Sequence, residues 1–123
     1  MLSSVVSVVI PAYNEEKTIG DVISETISVM ESLKLPYEII VVDDGSTDDT
    51  GQIAARYKAT VLFNGKNQEK GYALRKGFQH AQGDIIVTID SDGARNPKEI
   101  PDLLHPLLNG IDMLAGSRFV GLC

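Results

Sequence analysis

Residues 5–10, 37–42, 60–63 and 84–89 are short runs dominated by Val, Ile and other strand formers, the pattern of strands buried on both faces of a sheet. Pro11 has no N–H to give to a ladder and is expected to close the first run. After it, Ile19, Val22, Ile23, Ile27, Met30 and Leu33 recur at three- and four-residue spacings and form one apolar face of a helix. Asp43-Asp44-Gly45 ends the second run, and Ser46 or Thr47 is placed to cap a short helix with Asp48 and Asp49 in its first turn. Residues 64–69 are polar and read as a loop. Beyond them Ala73, Leu74, Phe78 and Ala81 make a second helical stripe, which Gly83 ends. Asn96-Pro97-Lys98-Glu99 supplies a cap, a first-position proline and a glutamate three residues after the cap, so a helix is expected to open there. Leu103, Leu104, Leu107 and Leu108 give that helix an apolar side, Pro106 should kink it, and residues 112–116 read as a short fifth strand. Strands alternating with helices, without a repeat or linker, predict one α/β unit with a mostly parallel sheet and helices on both faces.

Composition narrows the picture. A chain of 123 residues with 43% hydrophobic residues can build a core and is expected to fold as one domain. Its net charge of −6 argues against nucleic acid or an anionic membrane surface as the main partner, since those recruit Lys and Arg clusters. The one cysteine, Cys123, allows no internal disulfide and no cysteine-based metal site. Residues 5–10 are too short for a signal-peptide core or a membrane span, so a soluble, cytoplasmic domain is expected.

The chemistry gathers at the strand ends. Asp90-Ser91-Asp92 follows the fourth run, so a buried strand delivers two carboxylates at its C-terminal mouth, where open α/β sheets hold ligands. In the loop just beyond, both can turn toward one hard cation, Mg²⁺ or Mn²⁺, able to bridge the phosphates of a nucleotide. Pro11-Ala12-Tyr13-Asn14-Glu15 ends the first run and Asp43-Asp44-Gly45-Ser46 the second. In a parallel sheet all three clusters lie on one edge.

These segments resemble the large inverting family of nucleotide-sugar glycosyltransferases, family 2, the group that includes dolichol-phosphate mannosyltransferase. The resemblance is carried by Val8-Val9-Ile10-Pro11-Ala12-Tyr13-Asn14-Glu15-Glu16, Ile40-Val41-Val42-Asp43-Asp44-Gly45-Ser46-Thr47-Asp48, Lys70-Gly71-Tyr72-Ala73-Leu74-Arg75-Lys76-Gly77-Phe78, Ala81-Gln82-Gly83-Asp84, Asp90-Ser91-Asp92 and Gly116-Ser117-Arg118-Phe119, in order along nearly the whole chain. It implies a Rossmann-like GT-A fold, here the half that binds a nucleoside diphosphate sugar, with the metal as cofactor. It also implies roles for single residues. Pro11, Ala12, Tyr13 and Glu15 would line the base and ribose pocket, with the ring as a stacking face, and Asp44 would accept a base N–H. Lys70 at a helix start would approach the diphosphate. Asp90 and Ser91 would face the ribose or sugar, Asp92 with Asp90 would hold the metal, and Arg118 would reach a phosphate. The acceptor suggested is a polyprenyl phosphate or a glycan, with transfer by inversion, which would draw the domain to a membrane surface.

Two departures accompany the resemblance. Ala94 stands where many relatives have Gln two residues after the second aspartate, so water would replace one metal ligand. Family members are also about twice this long, so no catalytic base is assigned: Asp102 and Asp112 read as a solvated helix face and a strand start, and His80 and His105 as surface residues. A truncated unit is expected to leave apolar surface uncovered and to self-associate. Two other classes fit the same outline. One is a non-catalytic nucleotide-binding fragment; the other is a signalling receiver domain, of similar length and with acidic strand ends, although its acidic pair should follow the first strand.

Overall fold

The computed structural model describes residues 5–65, 70–89, 97–102, 104 and 118–121, with the backbone alone for residues 70–72 and 118–121. In chain order the elements are β1 Val6–Ala12, α1 Ile19–Leu33, β2 Tyr37–Asp44, α2 Thr50–Ala54, β3 Thr60–Asn64, α3 Lys70–His80, β4 Ile85–Thr88, a single 3₁₀ turn Pro97–Glu99, and β5 Arg118–Gly121. The five strands form one sheet in the order β3-β2-β1-β4-β5, every neighbouring pair parallel.

Strands β1 to β4 alternate their side chains between two apolar layers, as the two-residue period requires. Val6, Val8, Ile10 and Ala12 of β1, Ile39 and Val41 of β2, and Ile85 and Val87 of β4 pack with Ile19, Val22, Ile23 and Met30 of α1. Val9, Ile40, Val42 and Ile86, on the opposite face, pack under Ala73, Leu74 and Phe78 of α3. Gly77 lets α3 come close, because a Cβ there would run into the Val9 side chain. Thr26 interrupts the apolar stripe of α1, yet it is fully buried and its hydroxyl donates to the Val22 carbonyl at 2.7 Å.

The strand order identifies where the topology reverses. From β1 the chain steps outward to β2 and β3; α3 then carries it back across the sheet, and β4 pairs on the other side of β1. The switch point lies between β1 and β4, and the crevice outside their C-terminal ends is where such sheets take ligands. This order also decides against the receiver domain, whose doubly wound sheet runs 2-1-3-4-5.

Two sequence expectations change. Pro11 does not close β1, which continues to Ala12 with Pro11 opposite Val42. The Val5 and Val9 carbonyls face β4, accepting from Asp84 and Ile89, so by alternation Pro11 turns its nitrogen toward the same side. The β1–β4 ladder has already ended at Val9 and Thr88, and the missing N–H costs no bond in it. Ser46 and Thr47 do not cap α2, which starts at Thr50 after Asp49, because both are occupied by the β1 loop. The fifth strand is found at Arg118–Gly121; residues 112–116 lie outside the described residues, as do Asn96, Leu103, His105, Pro106, Leu107, Leu108 and Asp112. The expected Pro97 start opens as a 3₁₀ turn, with helix at residues 100–102 and a buried Leu104. Among the described residues no helix is long and apolar enough to cross a membrane.

Candidate functional site

The loop that leaves β1 is fastened to the loop that leaves β2 by a ladder of side-chain bonds. Asn14 takes a left-handed backbone (φ 53°), a conformation its short amide tolerates better than most side chains. Its N–H donates to Ser46 Oγ at 2.9 Å, and its Oδ1 accepts from the Thr47 N–H at 2.8 Å and the Thr47 hydroxyl at 3.3 Å. The next two residues continue the pattern. Glu15 N–H donates to Thr50 Oγ1 at 2.8 Å, Glu16 N–H donates to Asp48 Oδ2 at 3.3 Å, and Asp49 N–H donates to Glu16 Oε1 at 3.1 Å. The β2 loop is itself closed by Asp43, whose Oδ1 accepts from Ser46 N–H at 3.0 Å across Gly45 in the left-handed region (φ 80°).

Asp48 anchors the far end of that loop, accepting from both the N–H and the hydroxyl of Thr50. Desolvation opposes its charge, but the hydrogen bonds from Thr50 and from the Glu16 N–H outweigh it and hold the Asp48 carboxyl below the usual carboxylate range. Much of the acidity at the β2 mouth is therefore used to shape the loops.

Asp43 and Asp44, one residue apart on a strand, point to opposite faces. Asp43 belongs to the α2 side. Asp44 has the parity of Ile40 and Val42, the residues under α3, and is 3% exposed. Its Oδ1 accepts from Asn64 Nδ2 at 2.8 Å, the two residues being partners in the β2–β3 register. Lys76 of α3 completes the group, donating to Asn64 Oδ1 at 2.8 Å and to the Phe63 carbonyl at 3.1 Å.

Of the residues singled out from sequence, Pro11, Ala12, Tyr13, Glu15 and Asp44 are brought together at the β1 and β2 mouths. Pro11 and Glu15 are half-buried, Ala12 is buried, and the Tyr13 ring stands out from the loop at 44% exposure. Lys70 is the first residue of α3, on the segment that follows β3. Asp90, Ser91, Asp92 and Ala94 lie outside the described residues, but β4 is seen up to Ile89, whose N–H bonds the Val9 carbonyl at 3.2 Å. Of Arg118 the backbone alone is described. Its backbone pairs with Ile85, at the N-terminal end of β4, and the ladder reaches the mouth end only at Gly121 opposite Thr88. Asp102 and His80 are exposed, as expected, and the His80 ring sits 3.1 Å from the Lys76 carbonyl. Sequence reading passed over Asn64 and Lys76, and gave no role to Asn14 or Thr50. Asn64 closes β3 at the same sheet edge as the other clusters, a signal available once the third strand is included among the mouths.

Comparison with known proteins bears on this arrangement. A family model described as glycosyl transferase family 2 matches residues 7–122. An undecaprenyl-phosphate 4-deoxy-4-formamido-L-arabinose transferase of Edwardsiella ictaluri is 38% identical over 120 residues, covering 92% of this chain and 37% of that protein. The protein of the same name from Salmonella choleraesuis is 35% identical over 120 residues, with 92% and 36% covered. Among solved structures, glucosyl-3-phosphoglycerate synthase of Mycobacterium tuberculosis, in complex with Mn²⁺, uridine diphosphate and phosphoglyceric acid, superposes with a TM-score of 0.73 at 38% identity, over 87% of this chain and 40% of that one. Mannosyl-3-phosphoglycerate synthase of Rubrobacter xylanophilus gives 0.76 at 31% identity, over 86% and 36%. The chain thus spans well under half the length of these relatives, and its sheet is the Rossmann-like GT-A arrangement.

Proposed function

The chain belongs to glycosyl transferase family 2, and from that premise we propose that it is the half of a glycosyltransferase that binds the nucleoside diphosphate sugar, a UDP- or GDP-sugar. The sugar is transferred with inversion to an anionic acceptor such as polyprenyl phosphate. The observation that carries this reading is the topological switch between β1 and β4, with the β1 loop locked beside it. The relatives add weight: one set is named for undecaprenyl phosphate, and a solved neighbour holds uridine diphosphate with Mn²⁺.

Each group at the mouth has a task. Tyr13 offers an exposed aromatic face on which a base stacks. Asp44, buried at the β2 mouth, would accept an N–H from the base edge. Glu15 would accept from the ribose hydroxyls, and Lys70, the first residue of α3, would approach the diphosphate together with the helix N-terminus. An anionic phosphate acceptor needs little help from a base when it attacks the anomeric carbon, because its attacking oxygen is already anionic.

Mg²⁺ or Mn²⁺ would be held by Asp90 and Asp92. Among the described residues no three His, Cys, Asp or Glu side chains group to bind a metal ion, and Asp43 and Asp48 are engaged by N–H and O–H donors. The family resemblance assigns the metal to the two carboxylates that follow Ile89, whose hard oxygens suit such a cation. When bound, the ion supplies charge neutralisation to the leaving diphosphate.

Titration calorimetry with UDP and GDP tests the reading. Wild-type protein is expected to bind one of them more tightly with Mn²⁺ than with chelator, and Asp92→Ala to lose that difference. Equal affinities for both proteins, with and without metal, would sink the metal assignment.

A further inference from the structure

We propose that Lys76 is a positioning residue for nucleotide recognition, acting through Asn64 to hold the Asp44 carboxylate turned as an acceptor for a base N–H; this rests on the nucleotide-binding reading above. Three elements contribute one polar group each. Lys76 on α3 donates to Asn64 Oδ1 at 2.8 Å, and Asn64 on β3 donates through Nδ2 to Asp44 Oδ1 on β2 at 2.8 Å. A second bond from Lys76 to the Phe63 carbonyl at 3.1 Å fixes the ammonium against the end of β3.

The order of donors in this relay follows from chemistry. An ammonium only donates, so Asn64 must give it the amide oxygen and can offer only its NH₂ to Asp44. The amide of an asparagine otherwise rotates between two orientations of similar shape. Rotated, it would set its oxygen against a carboxylate oxygen, two acceptors face to face, and Asp44 would turn away. Asp44 is 3% exposed, so bulk water cannot readily take over the lost bond. Charge at the Lys76 end also strengthens each bond along the chain.

The consequence is selectivity. A carboxylate held as an acceptor reads a base edge that presents an N–H, as uracil N3 and guanine N1 do. Cytosine N3 and adenine N1 are acceptors and would meet it with repulsion. Lys76 thereby contributes to choosing the base without touching it.

Calorimetry with UDP, GDP, CDP and inorganic pyrophosphate, all with Mn²⁺, tests this on wild-type protein, Lys76→Met, Lys76→Arg and Asn64→Ala. Wild type is expected to prefer UDP or GDP over CDP. Lys76→Met, which keeps an unbranched stem one atom shorter and removes the donors, should weaken the preferred nucleotide about tenfold, about 1.4 kcal/mol, and narrow its margin over CDP. Pyrophosphate binding should not change, and Lys76→Arg should restore the margin. Asn64→Ala breaks the same relay from its other side and should narrow the margin equally, which decides the matter if Lys76→Met does not fold. An unchanged margin in a folded variant, or an equal loss for pyrophosphate, overturns the relay while leaving nucleotide binding intact. Wild-type protein that binds no nucleoside diphosphate overturns the binding reading and the relay with it.

Discussion

Single residues at the mouth divide into those that would meet a ligand and those that shape the loops. Tyr13 is the clearest of the first kind: large, aromatic, half outside the protein, on a loop whose following residues are each bonded to the β2 loop. Its side chain supports no core, so Tyr13→Ala is expected to leave the unfolding midpoint within experimental error while weakening UDP or GDP binding by about 1 kcal/mol, roughly fivefold, the lower end for base stacking on an exposed ring. Calorimetry beside thermal melting separates the two effects; a variant that melts earlier but binds normally would assign Tyr13 to the fold. The gathering of Pro11, Ala12, Tyr13, Glu15 and Asp44 at one sheet edge was legible in sequence, because each follows or ends an apolar run that reads as a buried parallel strand. Asn64 and Lys76 were not. Their meaning lies in the β2–β3 register that sets Asn64 against Asp44 and in the seating of α3 over β1 and β2, which brings Lys76 to the end of β3; neither leaves a mark in local sequence.

At the scale of elements, β1, β2 and β4 could be read because their unbroken β-branched runs are buried on both faces, and α1 because its apolar stripe keeps the helical period. The errors came where tertiary partners overrode local rules. Pro11 stays in β1 because the neighbouring ladder has ended, and Ser46 and Thr47 serve the β1 loop instead of capping α2. The packing of α3 makes its own claim. At Gly77 a Cβ would collide with the buried, β-branched Val9, which has little freedom to move. Gly77→Ala is expected to destabilise by about 1 kcal/mol, since overpacking of about 1–3 kcal/mol exceeds the roughly 1 kcal/mol that alanine gains in a helix. Gly65→Ala, where a Cβ meets nothing within 4 Å, is the matched control. Urea unfolding of both variants checks this, and equal stability would mean that α3 is not seated by Gly77.

For the whole molecule, the sequence pattern was enough for the class of fold, but not for the order of its strands. Parallel α/β units of similar length differ in where the sheet reverses, and the pairing of β4 with β1, on the side away from β2 and β3, separates this strand order from that of a receiver domain. That pairing also places the crevice. A crystal structure of the protein with UDP and Mn²⁺ tests the central claim most directly. The base is expected on Tyr13 within hydrogen-bond distance of Asp44, with the diphosphate over the C-terminal ends of β1 and β4. A nucleotide bound at the N-terminal end of the sheet, or on a face away from the β1–β4 switch, would contradict it.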